Sequence, residues 1–184
     1  MSLVISFDIE ANGPTPVNNS MISFGCATYT EDGELVSTFY RTIKPLDGHI
    51  QNTGTMKFWN SNPKQYALTK KDAMSATQFV ADLAEYLHGL GNKFVWVARP
   101  SAFDWMWLKC YYEQFKKSTY PEVGYSCHCI TSSYKQYITD NKLSKDEDNQ
   151  LWEKLTKDCI ADHHPVNDAK YQGAIYFGIK KLSQ

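Results

Sequence analysis

The chain has 184 residues, of which 42% are hydrophobic, 14% aromatic and 21% charged, a composition that excludes long disordered or low-complexity tracts and suits one folded domain. A chain of this length buries roughly 70% of the surface its unfolded form exposes, so it needs no disulfide or metal staple to fold. Nineteen Lys and Arg against twenty Asp and Glu leave a formal charge of -1, which excludes coating of nucleic acid by charge alone but admits an enzyme that grips a few nucleotides through metal ions and a local basic patch.

Taken in chain order, residues 3–9 are apolar and β-branched with an acid near their end, and they predict a buried strand opening toward a site. Residues 21–30 and 35–43 are rich in Val, Ile, Thr, Tyr and Phe, and Glu31-Asp32-Gly33-Glu34 between them predicts a hairpin. From Ser75 to Leu90 the positions Phe79, Val80, Leu83, Ala84 and Leu87 repeat at helical spacing, with Ser75 as a cap and Gly89 or Gly91 as a stop. Residues 93–98 read as a strand, 103–117 as a helix, 125–130 as a strand and 167–182 as a closing helix. Between them, 132–139 and 148–156 predict two further helices. This order describes an α/β domain over residues 1–184, with a five-stranded sheet that mixes antiparallel and parallel pairs.

The five cysteines are an odd number, and residues 1–7 show no basic leader before a long apolar core. The expectation is therefore a soluble protein of a reducing cytoplasm. No apolar stretch approaches the roughly 20 residues that span a bilayer, so no membrane partner is expected. Cys127-His128-Cys129 has poor spacing for a zinc half-site, since strand alternation separates the histidine from the two thiols. Buried thiols in a core strand are the expected reading.

Asp8 and Glu10 lie two positions apart on a predicted strand, so their carboxylates share one face. Like charges side by side are costly unless a cation lies between them, and hard oxygen ligands select Mg²⁺ or Mn²⁺. Asp104 follows a predicted strand after a short loop, among Phe103, Trp105 and Trp107 at a helix start. It is either a helix-capping acid or a partly desolvated one that needs a partner. In Asp162-His163-His164-Pro165-Val166-Asn167-Asp168, His163 falls on a loop fixed by Pro165 and Asp168 on the last helix. A histidine so placed can take a proton from water near neutral pH. Its neighbour His164 is expected to be exposed.

Together these motifs resemble the DEDDh group of 3′–5′ exonucleases on the ribonuclease H-like fold. Phe7-Asp8-Ile9-Glu10 is the first motif, Ser101-Ala102-Phe103-Asp104 the second and His163 to Asp168 the third. Thr55-Met56-Lys57-Phe58-Trp59 with Asn62-Pro63, and Arg99 before the second motif, are similar to the branch that holds phage-type exonuclease A and the bacterial Rv-type exoribonucleases. Arg99-Pro100 stands where many members carry His-Asn. The resemblance implies a five-stranded mixed sheet with helices on both faces. It implies that Asp8, Glu10, Asp104 and Asp168 hold two ions of Mg²⁺ or Mn²⁺ and that His163 activates the attacking water. The implied reaction releases nucleoside 5′-monophosphates from the 3′ ends of single-stranded DNA or RNA.

For substrate contacts, the resemblance directs attention to Ala11, Asn12 and Gly13 beside the 3′-terminal nucleotide. Phe58, Trp59 and Phe103 are candidates for base stacking, and Arg99 belongs to a basic set with Lys70, Lys71, Lys109, Lys116 and Lys117. Competing readings are an RNA-specific trimming enzyme, a binding module of the same fold without catalysis, and an internally cutting relative. The intact acidic set disfavours the second and the histidine five positions before the last Asp disfavours the third. Related exonucleases are often dimers, which admits a homodimer here, and no segment of the sequence decides it.

Overall fold

A computed structural model describes residues 2–91 and 93–183. The elements in chain order are β1 (Leu3–Ala11), β2 (Met21–Tyr29), β3 (Leu35–Thr42), α1 (Thr53–Ser61), α2 (Pro63–Leu68), α3 (Ala76–Leu90), β4 (Phe94–Ala98), α4 (Ser101–Phe115), β5 (His128–Cys129), α5 (Ile130–Asp140), α6 (Lys145–Thr156) and α7 (Pro165–Leu182). The strands form one sheet in the order β3-β2-β1-β4-β5. β1 pairs antiparallel with β2 and β2 with β3, whereas β1–β4 and β4–β5 are parallel. The hairpin is the predicted one, and the mixed α/β sheet is the expected architecture.

Alternation along β1 sends its side chains into two separate cores. Ile5, Phe7 and Ile9 pack with Phe24, Phe79, Leu83, Trp107, Leu108 and Tyr111, beneath α3 and α4. Val4 joins Ala27, Tyr29, Val97, Ile130, Ala169 and Ile175, beneath α5 and α7. Asp8 and Glu10 have the parity of Val4, so they project on the α7 side. Helix α3 starts at Ser75, whose side chain accepts from Gln78 N–H, and stops at Gly91, where φ is +84°. Both ends are those that the residue types require.

Several boundaries differ from expectation. The last strand is two residues long rather than six. β4 itself ends at Ala98, and toward β5 only Val97 and Ala98 pair, with His128 and Cys129. Tyr125 is 95% exposed, Cys127 and Cys129 are half-buried and His128 is exposed, which corrects the reading of this segment as a core strand with buried thiols. Helix α4 begins two residues early, at Ser101. Helix α6 begins at Lys145 because Ser144 and Glu147 form a reciprocal capping box. Helix α7 takes Pro165 as its first residue rather than following it, a position where the missing N–H costs nothing.

Candidate active site

Strands β1 and β4 run parallel and part after Ser6↔Val97, which opens a crevice at their carboxyl ends, where α/β sheets bind ligands. A cavity of about 310 Å³ lies there, lined by Asp8, Glu10, Arg99, Phe103, Asp104, Ala161, His163, Asp168, Tyr171 and Gln172 among others. All five residues read from the sequence as acids or base therefore meet in one place, brought by β1, α4, the loop before α7 and α7 itself.

Each carboxylate is held differently. Asp8 accepts from Gln172 Nε2 at 2.9 Å. Asp104 is 2% exposed, and the nearby Ile9 backbone N–H favours its charged form. Its second oxygen, Oδ2, is buried and has no donor among the described residues. Asp168 Oδ1 accepts from Asp162 N–H at 3.0 Å. The Asp162 side chain in turn accepts from His164 N–H at 3.2 Å and Asn167 Nδ2 at 3.1 Å, so the loop and the helix start fix each other. His163 Nδ1 lies 3.8 Å from Glu10 Oε1. One ligand atom each of Glu10, His163 and Asp168 fall within 4.8 Å of one another.

The electrostatics follow from this crowding. Burial first, and then the charges of Asp104, Glu10 and Asp168, push Asp8 well above the usual carboxylate range, while Gln172 opposes the shift. Burial and the charges of Asp168 and Asp104 push Glu10 well up also. Burial raises Asp104 to about 7, against the N–H donors that favour its charged form. Asp168 is raised by burial, while His163 and the Asp162 N–H pull it back. Four acids whose ionisation burial disfavours, Asp8 and Glu10 further opposed by the charges of the others, make a set of hard oxygen donors of the kind that fits a divalent cation.

His163 sits on a left-handed backbone, with φ of +61°, a conformation that costs a non-glycine residue of order 1 kcal/mol or more and is retained where the surroundings enforce it. Its side chain is 47% exposed, and the Phe58 ring meets it edge to face at 4.9 Å. His164 is half-buried rather than exposed, and its ring stacks on Tyr40 at 4.5 Å. Tyr40, Gly25 and Asp8 lie side by side across β3, β2 and β1. A Cβ on Gly25 would stand 2.6 Å from Val166 N and 2.7 Å from Pro165 Cβ. The bare backbone at Gly25 is what lets α7 descend onto the sheet and bring Asp168 beside Asp8.

The substrate candidates divide. Arg99 and Phe103 line the cavity, and Phe58, 39% exposed, covers His163. Trp59 is 1% exposed and donates from Nε1 to Ala11 O at 2.9 Å, so it pins the end of β1 and cannot stack a base. Ala11, Asn12 and Gly13 are buried. Asn12 Oδ1 accepts from Ser20 N–H at 2.7 Å, and the space beside Gly13 belongs to the Asn19 side chain, 2.1 Å from where a Cβ would stand. The Asn12 side chain and the close approach of Asn19 to Gly13 thus serve the loop that follows β1. Lys109 and Lys116 pair with Glu113 and Glu122 on the outer face of α4, and Lys70 lies over Tyr66, so the expected basic track contracts to Arg99 at the cavity.

Gln172, Tyr171 and the Asp162 bracket were not singled out from sequence. Asp168, Tyr171 and Gln172 are spaced three and four apart, the spacing that puts them on one face of a helix. That signal was present once Asp168 was placed.

The sheet and the order of its acidic motifs define a DEDD-type nuclease on the ribonuclease H-like fold. The model of the Rv2179c-like 3′–5′ exoribonuclease domain matches residues 4–178, and the chain belongs to that family of 3′–5′ exonucleases. Among curated proteins, the 3′–5′ DNA exonuclease Cap18 of Escherichia coli is 21% identical over 99% of this chain and 94% of its own. Among solved structures, E. coli exonuclease I with a dA16 oligonucleotide superposes with a TM-score of 0.69 at 15% identity, over 98% of this chain and 41% of the other. Pop2p of S. pombe in its Mg²⁺- and Mn²⁺-bound form gives 0.61 at 16% identity, over 97% and 82%. The chain thus spans about two fifths of exonuclease I, and at these identities the superpositions show the fold.

Among the described residues, no helix is long and apolar enough to cross a membrane.

Proposed function

We propose that this chain removes nucleotides one at a time from the 3′ end of single-stranded DNA or RNA, with Asp8, Glu10, Asp104 and Asp168 holding two ions of Mg²⁺ or Mn²⁺ and His163 as general base. The observation that carries this reading is the meeting of the five residues in one cavity with Asp104 Oδ2 buried and without a donor. A carboxylate oxygen hidden from water and from every donor fits a cation ligand. When bound, such ions would supply charge neutralisation for the attacking and leaving oxygens of a phosphodiester hydrolysis.

The protein's own part is positioning and proton transfer. The Asp162 bracket and the Tyr40 stack hold the loop so that His163 faces Glu10 across 3.8 Å. The half-exposed imidazole can take a proton from water beside the scissile phosphate and pass it to bulk solvent. Phe58 covers one side of His163 and restricts its ring. Arg99, at the cavity wall, supplies the cation for a phosphate, and Phe103 an apolar face for a base.

The test is a time course on 5′-labelled single-stranded RNA and DNA of one sequence, with Mg²⁺, Mn²⁺ or chelator, beside Asp8→Ala. A ladder that shortens from the 3′ end, and that chelator and Asp8→Ala both abolish, is the expected result; the faster polymer names the substrate class. A folded protein that cuts neither polymer with either ion overturns the reading.

A further inference from the structure

A second cavity, of about 430 Å³, adjoins the first. Arg99 lines both. Its other walls come from α5 and α6: Tyr134, Lys135, Ile138, Asp148 and Trp152. The Arg99 guanidinium lies 4.4 Å from the centroid of the Trp152 ring. The Tyr134 ring meets Trp152 edge to face at 4.9 Å, and its hydroxyl donates to the Asp148 carboxylate, so the aromatic wall is fixed from behind. Among the described residues neither Arg99 nor Lys135 has a carboxylate partner. With Asp148 engaged by Tyr134, the cavity presents two free cations, a planar stacked face and an apolar wall at Ile138.

We propose that this cavity binds the nucleotide on the 5′ side of the scissile phosphate, its base against the Arg99–Trp152 stack and its own phosphate at Lys135. The inference rests on the exonuclease reading above and extends it to residues outside the carboxylate cluster. Three observations carry it. The first is continuity: Arg99 lines both cavities, and an exonuclease that removes one nucleotide at a time has a single nucleotide on the 3′ side, so the strand entering the second cavity is the upstream one. The second is charge: an Arg and a Lys without carboxylate partners among the described residues line one cavity, which suits a phosphodiester backbone. The third is shape, since a guanidinium plane backed by an indole is a stacking surface indifferent to base identity.

The test separates the two cavities. Lys135→Glu changes an exposed side chain and leaves packing alone, and Trp152→Leu removes the stacking wall. Steady-state cleavage of a labelled hexanucleotide gives KM and kcat, and inhibition by the released nucleoside 5′-monophosphate reports the catalytic cavity by itself. Both variants are expected to raise the hexanucleotide KM about five- to tenfold, with kcat within twofold and the mononucleotide inhibition constant unchanged. An unchanged KM overturns the proposal, as does an inhibition constant that rises in step with KM. If the wild type degrades neither polymer, the exonuclease reading fails by itself. Fluorescence anisotropy of the hexanucleotide then decides the cavity: binding weakened by Lys135→Glu retains it and unchanged binding removes it.

Discussion

Asp104→Asn tests whether the acids of the site are held at a cost that a cation relieves. Asp104 is 2% exposed, and burial raises its carboxyl from 3.8 to about 7. As pH climbs from 4, the unfolded chain therefore gives up this proton before the folded one does. The folded state then binds more protons, so stability falls with rising pH until the folded group also ionises near 7 and levels off above 8. At 1.36 kcal/mol per unit, the cost by pH 8 is about 4 kcal/mol, of which about 3 kcal/mol accrues between pH 5 and pH 8. Asparagine carries no charge, and its carbonyl can still accept from the Ile9 N–H. In chelator, Asp104→Asn is therefore expected to gain on the wild type as pH rises, by roughly 6–12 °C in melting temperature between pH 5 and pH 8. In saturating Mn²⁺ at pH 8 the order should reverse, because only the wild type gains the full stabilisation of binding. Thermal melts at the two pH values, with and without Mn²⁺, give all four quantities. A variant destabilised by the same amount at both pH values in chelator would refute the claim that a strained buried charge shapes this site.

Other substitutions address positioning. Gly25→Ala must push back Pro165 and Val166, whose atoms stand 2.6–2.7 Å from the new Cβ; expected are a loss of about 1–3 kcal/mol in urea melts and about a hundredfold in kcat. Gly89→Ala, where the added methyl meets nothing within 4 Å, should instead stabilise helix α3 by about 0.5–1 kcal/mol with activity unchanged. Gln172→Leu removes the only donor on Asp8 among the described residues; the half-saturating Mn²⁺ concentration for activity at pH 7 should rise about tenfold, since neighbours of metal ligands carry effects of that size. His163→Ala should lower kcat by a factor of about 10² to 10⁴ while Mn²⁺ binding measured by calorimetry stays within a few-fold; equal loss of both would make His163 a ligand rather than a base.

The carboxylates were legible in the sequence because each lies where a local rule exposes it: Asp8 and Glu10 by strand alternation, Asp104 by its place after a strand, Asp168 at the head of a helix. Their order along the chain then carried the resemblance. Trp59 was misread because an aromatic helix near a site looks the same whether its rings face a base or the end of β1, and the Nε1 bond to Ala11 O is a tertiary fact. At Gly13 bare backbone permits a close approach without saying by what; the Asn19 side chain takes that space. Gly25 left a signal that was not used. An isolated glycine in the middle of a nine-residue buried strand marks a close approach of something, and that something is the end of α7. The short last strand was out of reach locally, because its length is set by where β4 ends and not by residues 125–130 themselves.

The placement of the site explains why it depends on both halves of the fold. β1 carries two acids toward the α7 side, yet Asp104 belongs to α4, which packs on the opposite core with Trp107, Leu108 and Tyr111. Asp168 belongs to α7, whose anchors Ala169, Ile175 and Phe177 lie in the other core. The two layers come into register at the rim where β1 and β4 part. A core substitution that rotates α4 or α7 by a fraction of a turn would therefore separate Asp104 from Asp168 while leaving each helix intact. The four acids repel one another, so nothing among them restores the fit, and the rigidity that brings them together has to come from the sheet and its two flanking cores.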